Sequence, residues 1–122
     1  MSISPFPPLI GANVDMVSFV RDYVELRIDY SIVRALTNPA GIVDGISWSF
    51  PEDGSADLLL KYINRALVAA EVVPEDHILL TFEGRASITI SLRSEDRVGP
   101  EAAHFVPAKA NGEPDSSSMW IW

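Results

Sequence analysis

Two stretches of the chain, LIGANVDMVSFVRDYVELRID from Leu9 and YINRALVAAEVVPEDHILLTFE from Tyr62, carry their apolar residues at matching positions. Such a repeat constrains the fold more than local propensity does, because two copies of one pattern call for related structures. With one extra residue in the second copy near Pro74, Ile10 matches Ile63, Val14 matches Leu67 and Phe19 matches Val72. Beyond the insertion Val24 matches Ile78, Leu26 matches Leu80, Ile28 matches Phe82 and Asp29 matches Glu83. Gly11 falls opposite Asn64, and these are the residue types that best tolerate the left-handed conformation that ends a helix. The match decides a disputed segment. Alone, RALVAAE (Arg65–Glu71) has high helix propensity and would extend one helix from Ser55 to Glu71. The repeat predicts instead a stop at Asn64, a strand from about Ala66 to Val73, and a turn at Pro74, Glu75 and Asp76 into His77.

Strict alternation marks the remaining strands. In YVELRIDY, Val24, Leu26, Ile28 and Tyr30 share one face, with Glu25, Arg27 and Asp29 on the other. VDMVSFV (Val14–Val20) precedes it across Arg21-Asp22, short enough for a hairpin. HILLTFE leads through Gly84-Arg85 into ASITISLR, with Ile88, Ile90 and Leu92 inward. SIVRALT and IVDGISWSF read as arms around Asn38-Pro39-Ala40-Gly41. Aligning Ile32 with Ile88 puts Arg34 opposite inward Ile90, so a one-residue slip through a bulge is expected, turning Val33 and Ala35 inward. The helix begins near Ser55, capped by Ser55 or Asp53, with Asp57 in its first turn, and Leu58, Leu59, Tyr62 and Ile63 recur at helical spacing. After Arg93 the chain turns polar. AAHFV and MWIW then form an irregular hairpin around a loop, 107–118, whose Pro, Gly, Asn, Asp and Ser content suits a mobile segment.

The expected fold is therefore α+β. Residues 1–122 make a single domain of two related antiparallel β units, about 9–37 and 62–93, forming one curved sheet or a roll, with one main helix near 55–64 and a C-terminal hairpin. The expected core comprises Val17, Phe19, Leu26, Ile28, Leu59, Ile63, Leu80, Phe82, Ile88 and Ile90.

The chemistry is sparse. There is no cysteine, which removes disulfides and thiolate chemistry. Seventeen acidic against nine basic side chains give a net charge of −8, and no basic cluster exists to replace counterions on nucleic acid. No signal-like or membrane-spanning run is visible, which points to the cytoplasm. His104 follows Glu101 at a three-residue spacing that lacks the further ligands of a metal site, and His77 follows Asp76 at a strand start. Glu52, Asp53 and Asp57, with Asp44 upstream, lack calcium-loop spacing and suit a helix N-terminus. No nucleophile elbow or phosphate loop occurs. Neither a catalytic residue, a metal nor a cofactor is expected. Thr81, Ser87, Thr89 and Ser91 form a hydroxyl-rich outer face. Trp48 and Phe50 share parity, as do Trp120 and Trp122. Large aromatics serve cores and interfaces alike, so Trp48, His104, Trp120 and Trp122 are the candidate interaction surface.

The pattern PPLIGANVDMVSFVRDYVELRID, a second hydrophobic unit, GPEAAHFV and the terminal WIW resembles small bacterial proteins of uncharacterised function. Proteins with a similar LIG-strand-strand opening sit among immunity proteins of toxin systems. The chain departs from that pattern at Asn64, where glycine is more typical, and the matched positions are fold-defining ones that transfer no functional residue. The resemblance implies a non-catalytic protein-binding domain. A basic protein partner suits its acidic surface. The alternatives are a self-associating module, a homodimer through an edge strand or the Trp-bearing C-terminal strand, and a small ligand-binding protein with a pocket near Trp48, His104 and Trp120.

Overall fold

The computed structural model describes residues 4–21 and 23–122. The first unit contains β1 (Val14–Val20), β2 (Tyr23–Ile28) and β3 (Ser31–Ala35), preceded by a 3-10 turn at Pro7–Leu9. A hairpin of β4 (Ala40–Val43) and β5 (Ile46–Ser49) leads to the helix α1 (Ser55–Leu60). The second unit contains β6 (Leu67–Val73), β7 (His77–Phe82) and β8 (Ala86–Ser91), and the chain ends with β9 (Ala103–Val106) and β10 (Trp120–Ile121). The strands form two five-stranded antiparallel sheets, ordered β1-β2-β3-β9-β10 and β5-β4-β8-β7-β6.

The disputed segment is a strand. Asn64 sits at φ 73 and Gly11 at φ 93, so both take the left-handed conformation at corresponding places. From there the chain cannot continue as a helix, and Leu67–Val73 pairs with β7. The α-helix itself is shorter than expected. It ends at Leu60, and the chain reaches Asn64 through tighter turns, Tyr62 N to Leu59 O (3.2 Å) and Ile63 N to Leu60 O (3.3 Å). Its N-cap is Gly54 at φ 87, not Ser55 or Asp53. Ser55 lies within the helix and is buried, while Asp57 does occupy the first turn.

The two units meet where β1 and β6 begin. Gly11 N bonds Leu67 O (2.8 Å) and Asn64 N bonds Val14 O (2.7 Å), while Leu67 N bonds Ala12 O (2.9 Å) and Val14 N bonds Arg65 O (3.0 Å). Each of these bonds becomes its partner when the two matched stretches are exchanged. Both first strands also carry a register shift at matched sites, Val14/Met16 and Leu67/Ala69.

Several turns differ from expectation. β2 ends at Ile28, and Asp29 (φ 48) and Tyr30 (φ 66) make the turn, so Tyr30 is exposed and does not share the inward face of Val24, Leu26 and Ile28. Val33 and Ala35 do face inward, but no bulge turns them. The β2–β3 register is continuous, and the one-residue offset comes from the turn, which is longer between Phe82 and Ala86 than between Ile28 and Ser31. The Arg21-Asp22 turn falls partly on Asp22, outside the described residues.

The pairing of SIVRALT with IVDGISWSF is overturned. The hairpin turn is Asp44-Gly45 (φ 52 and 77), whose two positive φ values suit the twist of the flanking strands. Ala40 and Gly41 are strand residues of β4, which crosses to pair with β8, while β3 pairs with β9. Thr37, 2% exposed, lies in the crossover and donates to Ser91 O at 2.7 Å.

The inner faces of both sheets contribute to one core that includes Leu26, Val33, Leu59, Tyr62, Leu80, Phe82, Ile88 and Ile90. Val17 and Ile63 are partly buried. Phe19 is 39% exposed, because β1 is an edge strand with no neighbour beyond it; its ring leans on Phe50 at 6.0 Å. Among the described residues, no helix is long and apolar enough to cross a membrane.

Candidate functional site

The four residues expected at an interaction surface do not converge. Trp48 lies in the second sheet, 5% exposed, and its indole N–H donates to the Tyr62 hydroxyl at 3.0 Å. Trp120 and Trp122 belong to the end of the first sheet, half-buried and packed against the core. Their rings lie 6.0 Å apart, and Trp122 stacks on Phe6 at 6.3 Å. His104 pairs with Ile121 while Trp120 pairs with Phe105, so alternation puts His104 on the opposite face of the sheet from Trp120. A pocket shared by Trp48, His104 and Trp120 is not formed.

On its own face His104 belongs to a polar ladder. An Arg34 guanidinium N–H lies 3.0 Å from its Nδ1, and Arg34 Nε donates to Glu25 at 2.6 Å. Because guanidinium only donates, Nδ1 accepts, which leaves Nε2–H to donate to Glu101 at 3.1 Å. Arg34 also lies over the Tyr23 ring at 5.9 Å, and Arg27 pairs with Asp15 at 2.9 Å. The ladder satisfies its members mutually.

The outer face of the second sheet carries the expected hydroxyls, Thr81, Ser87, Thr89 and Ser91, all half-buried. At one end a depression of about 310 Å³ gathers His77, Thr89, Ser91, Asp76 and Asp96. His77 Nδ1 bonds the Asp76 carboxylate, which also takes Arg93 at 3.1 Å. The His77 bond first, and the Arg93 bond second, hold the Asp76 carboxyl below the usual range. Ser91 stands directly across from His77, a juxtaposition that only the hairpin register reveals. A carboxylate-oriented imidazole beside a hydroxyl has the parts of an acid–base pair. Ser91, however, gives its proton to Asp96 at 2.5 Å, so the nucleophile–base bond is not made.

Of the acidic residues near α1, Asp44 is bound by Arg65 (2.8 Å) and Lys61 (3.6 Å), and the Arg65 hydrogen bond holds its carboxyl down. Glu52, Asp53 and Asp57 are exposed. Among the described residues, no three carboxylate or imidazole side chains are grouped to hold a metal.

A larger cavity, about 610 Å³, lies away from all of these. It is bounded by Pro5 and Pro8, by the Asp29-Tyr30 turn, and by the loop from Pro107 to Gly112. The sequence signal for it was the length of that loop. No family model, curated protein or solved structure matches the chain.

Proposed function

We propose that the protein is a non-catalytic, immunity-like binding domain of the cytoplasm whose acidic surface meets a basic protein partner. One observation supports this reading. Glu52, Asp53, Asp57, Glu71, Glu75 and Glu95 are exposed, and among the described residues none has a cation within salt-bridge distance. The basic residues Arg27, Arg34, Lys61, Arg65 and Arg93 are engaged with other carboxylates. Unpaired surface carboxylates attract and orient a basic surface during encounter. The resemblance to immunity proteins favours the same class. Self-association through β10 has less behind it, since that strand spans only Trp120–Ile121 and both flanking indoles lean on the core.

The test is capture of a partner from the native host by the wild type and by a triple variant, Glu52→Lys, Asp53→Lys, Asp57→Lys. A basic partner is expected with the wild type only. It should be released between about 0.1 M and 1 M salt, over which the screening length falls from about 10 to about 3 Å. A partner held equally by both proteins, or unmoved by salt, refutes the reading.

We also infer that the two units descend from an internal duplication and close as a roll about the β1–β6 crossing. The exchangeable hydrogen bonds and matched register shifts favour this origin.

A further inference from the structure

The two units correspond in layout but differ sharply at one place. Between β4 and β5 the chain turns on Asp44 and Gly45 alone, whereas the corresponding connection between β9 and β10 runs from Pro107 to Met119. A connection longer than roughly 12 residues inside a compact domain usually carries function or acts as a linker. This one is folded on itself: Lys109 N bonds Glu113 O (2.7 Å), Gly112 N bonds Lys109 O (2.9 Å) and Asp115 N bonds Pro107 O (2.8 Å). Gly112 lies so close to Tyr30 that a Cβ on it would sit 3.6 Å from the ring. The loop thus walls the 610 Å³ cavity.

The floor of that cavity is buried: Leu9 is 4% exposed, Phe105 3% and Ser31 6%. Ser31 lines the space from this buried floor and brings a hydroxyl to it. A polar side chain on an otherwise apolar cavity floor fixes the orientation of what the cavity takes. Charges of both signs, Asp29 and Lys109, also line the cavity.

We propose that this cavity binds a small zwitterion with an apolar body, of the class of aliphatic and aromatic α-amino acids. The volume lies within the roughly 300–1,000 Å³ of small-molecule sites. Leu9, Phe105 and the flanking prolines take the apolar body, Asp29 attracts the ammonium, Lys109 the carboxylate, and Ser31 supplies a hydrogen bond. A simple anion would meet Asp29 and the net charge of −8, and a simple cation would meet Lys109. A ligand carrying both charges satisfies both residues.

The experiment is an amide-resolved NMR titration with L-leucine and L-phenylalanine, up to about 10 mM, where even a millimolar site is nearly saturated. Saturable shifts at Leu9, Ser31 and Gly112 are expected. N-acetyl-L-phenylalanine amide, which lacks both charges, should bind far more weakly. Asp29→Asn keeps a residue that tolerates the positive φ of the turn, and Lys109→Ala alters an exposed side chain. Each should weaken binding about tenfold by removing one charged hydrogen bond. The proposal is overturned by an absence of saturable shifts, by shifts centred elsewhere, by equal binding of the blocked probe, or by unchanged affinity in both variants.

Discussion

Tyr62→Phe removes one oxygen from the interior and tests how the helix-to-strand passage is tied to the second sheet. Tyr62 is 0% exposed. Its hydroxyl accepts from Trp48 Nε1 at 3.0 Å and shares its one proton between the carbonyls of Ser87 (2.7 Å) and Ile42 (3.1 Å). In the variant the ring remains, with its edge contacts to Trp48 and Phe82, so packing changes little. The loss is polar. Stranding the buried indole N–H costs about 1–3 kcal/mol, and the carbonyls lose a bond worth about 0.5–1.5 kcal/mol. A total near 2–4 kcal/mol is a large part of the roughly 5–15 kcal/mol that stabilises an ordinary domain. Urea unfolding should show a lower midpoint at an unchanged slope, and Tm should fall by about 10 °C. A loss below about 0.5 kcal/mol would refute the bonding scheme. Alkali supplies a second arm. Burial pushes the Tyr62 hydroxyl up to about 12, whereas the unfolded chain ionises near pH 10. The stabilisation is therefore complete below about pH 10 and lost between about 10 and 12, by up to about 2–3 kcal/mol. Across that interval the gap between wild type and Tyr62→Phe should narrow.

Gly41→Ala should be among the most damaging small substitutions. A Cβ there would lie 2.2 Å from the Ser87 carbonyl oxygen and 2.7 Å from the Trp48 ring, and the backbone atom has no rotamer to escape into. A loss of about 3 kcal/mol or more is expected by thermal unfolding; a change near zero would mean that β4 and β8 are not so close. At Asn64 (φ 73) the order of stability should be Gly at least equal to Asn, with Val lower by about 1–2 kcal/mol, measured by urea unfolding. Valine tolerated without loss would contradict the left-handed stop.

The strand at Leu67–Val73 was legible only through its match with Val14–Val20, because RALVAAE favours a helix when read alone. Periodicity found the inward faces of β2, β7 and β8 for the ordinary reason that one side of each strand is buried. It failed where pairing partners are distant in sequence. Asp44-Gly45 is a hairpin signal inside IVDGISWSF, yet Asn38-Pro39 outweighed it, and β3 was given a neighbour that it does not have. Phe19 looked like core because parity assigns a face but not the coverage of an edge strand. The aromatics were read as one surface, yet Trp48 and Trp120 occupy different sheets, which parity within each strand does not show. The Ser91–His77 juxtaposition depends on the register of the β7–β8 hairpin, and the cavity behind the Pro107–Gly112 loop on the β9–β10 hairpin crossing to the first sheet, neither of which periodicity alone supplies.

That crossing has an energetic consequence. A three-strand unit such as β1-β2-β3 or β6-β7-β8 leaves the outer edge of its third strand unpaired, and an exposed edge is prone to wrong pairing. Each edge is covered by a hairpin from elsewhere in the chain: β9–β10 reaches β3, and β4–β5 reaches β8. The crossovers are fastened as they pass, Leu36 N to Ala102 O at 2.9 Å and Thr37 Oγ1 to Ser91 O at 2.7 Å. Neither unit therefore completes its sheet without a segment anchored in the other, so a defect in one hairpin weakens both sheets. The same logic explains where elaboration is tolerated. A β-hairpin tip lies beyond the paired edge, and at the β9–β10 tip the chain could grow into a long loop without disturbing the β3–β9 ladder.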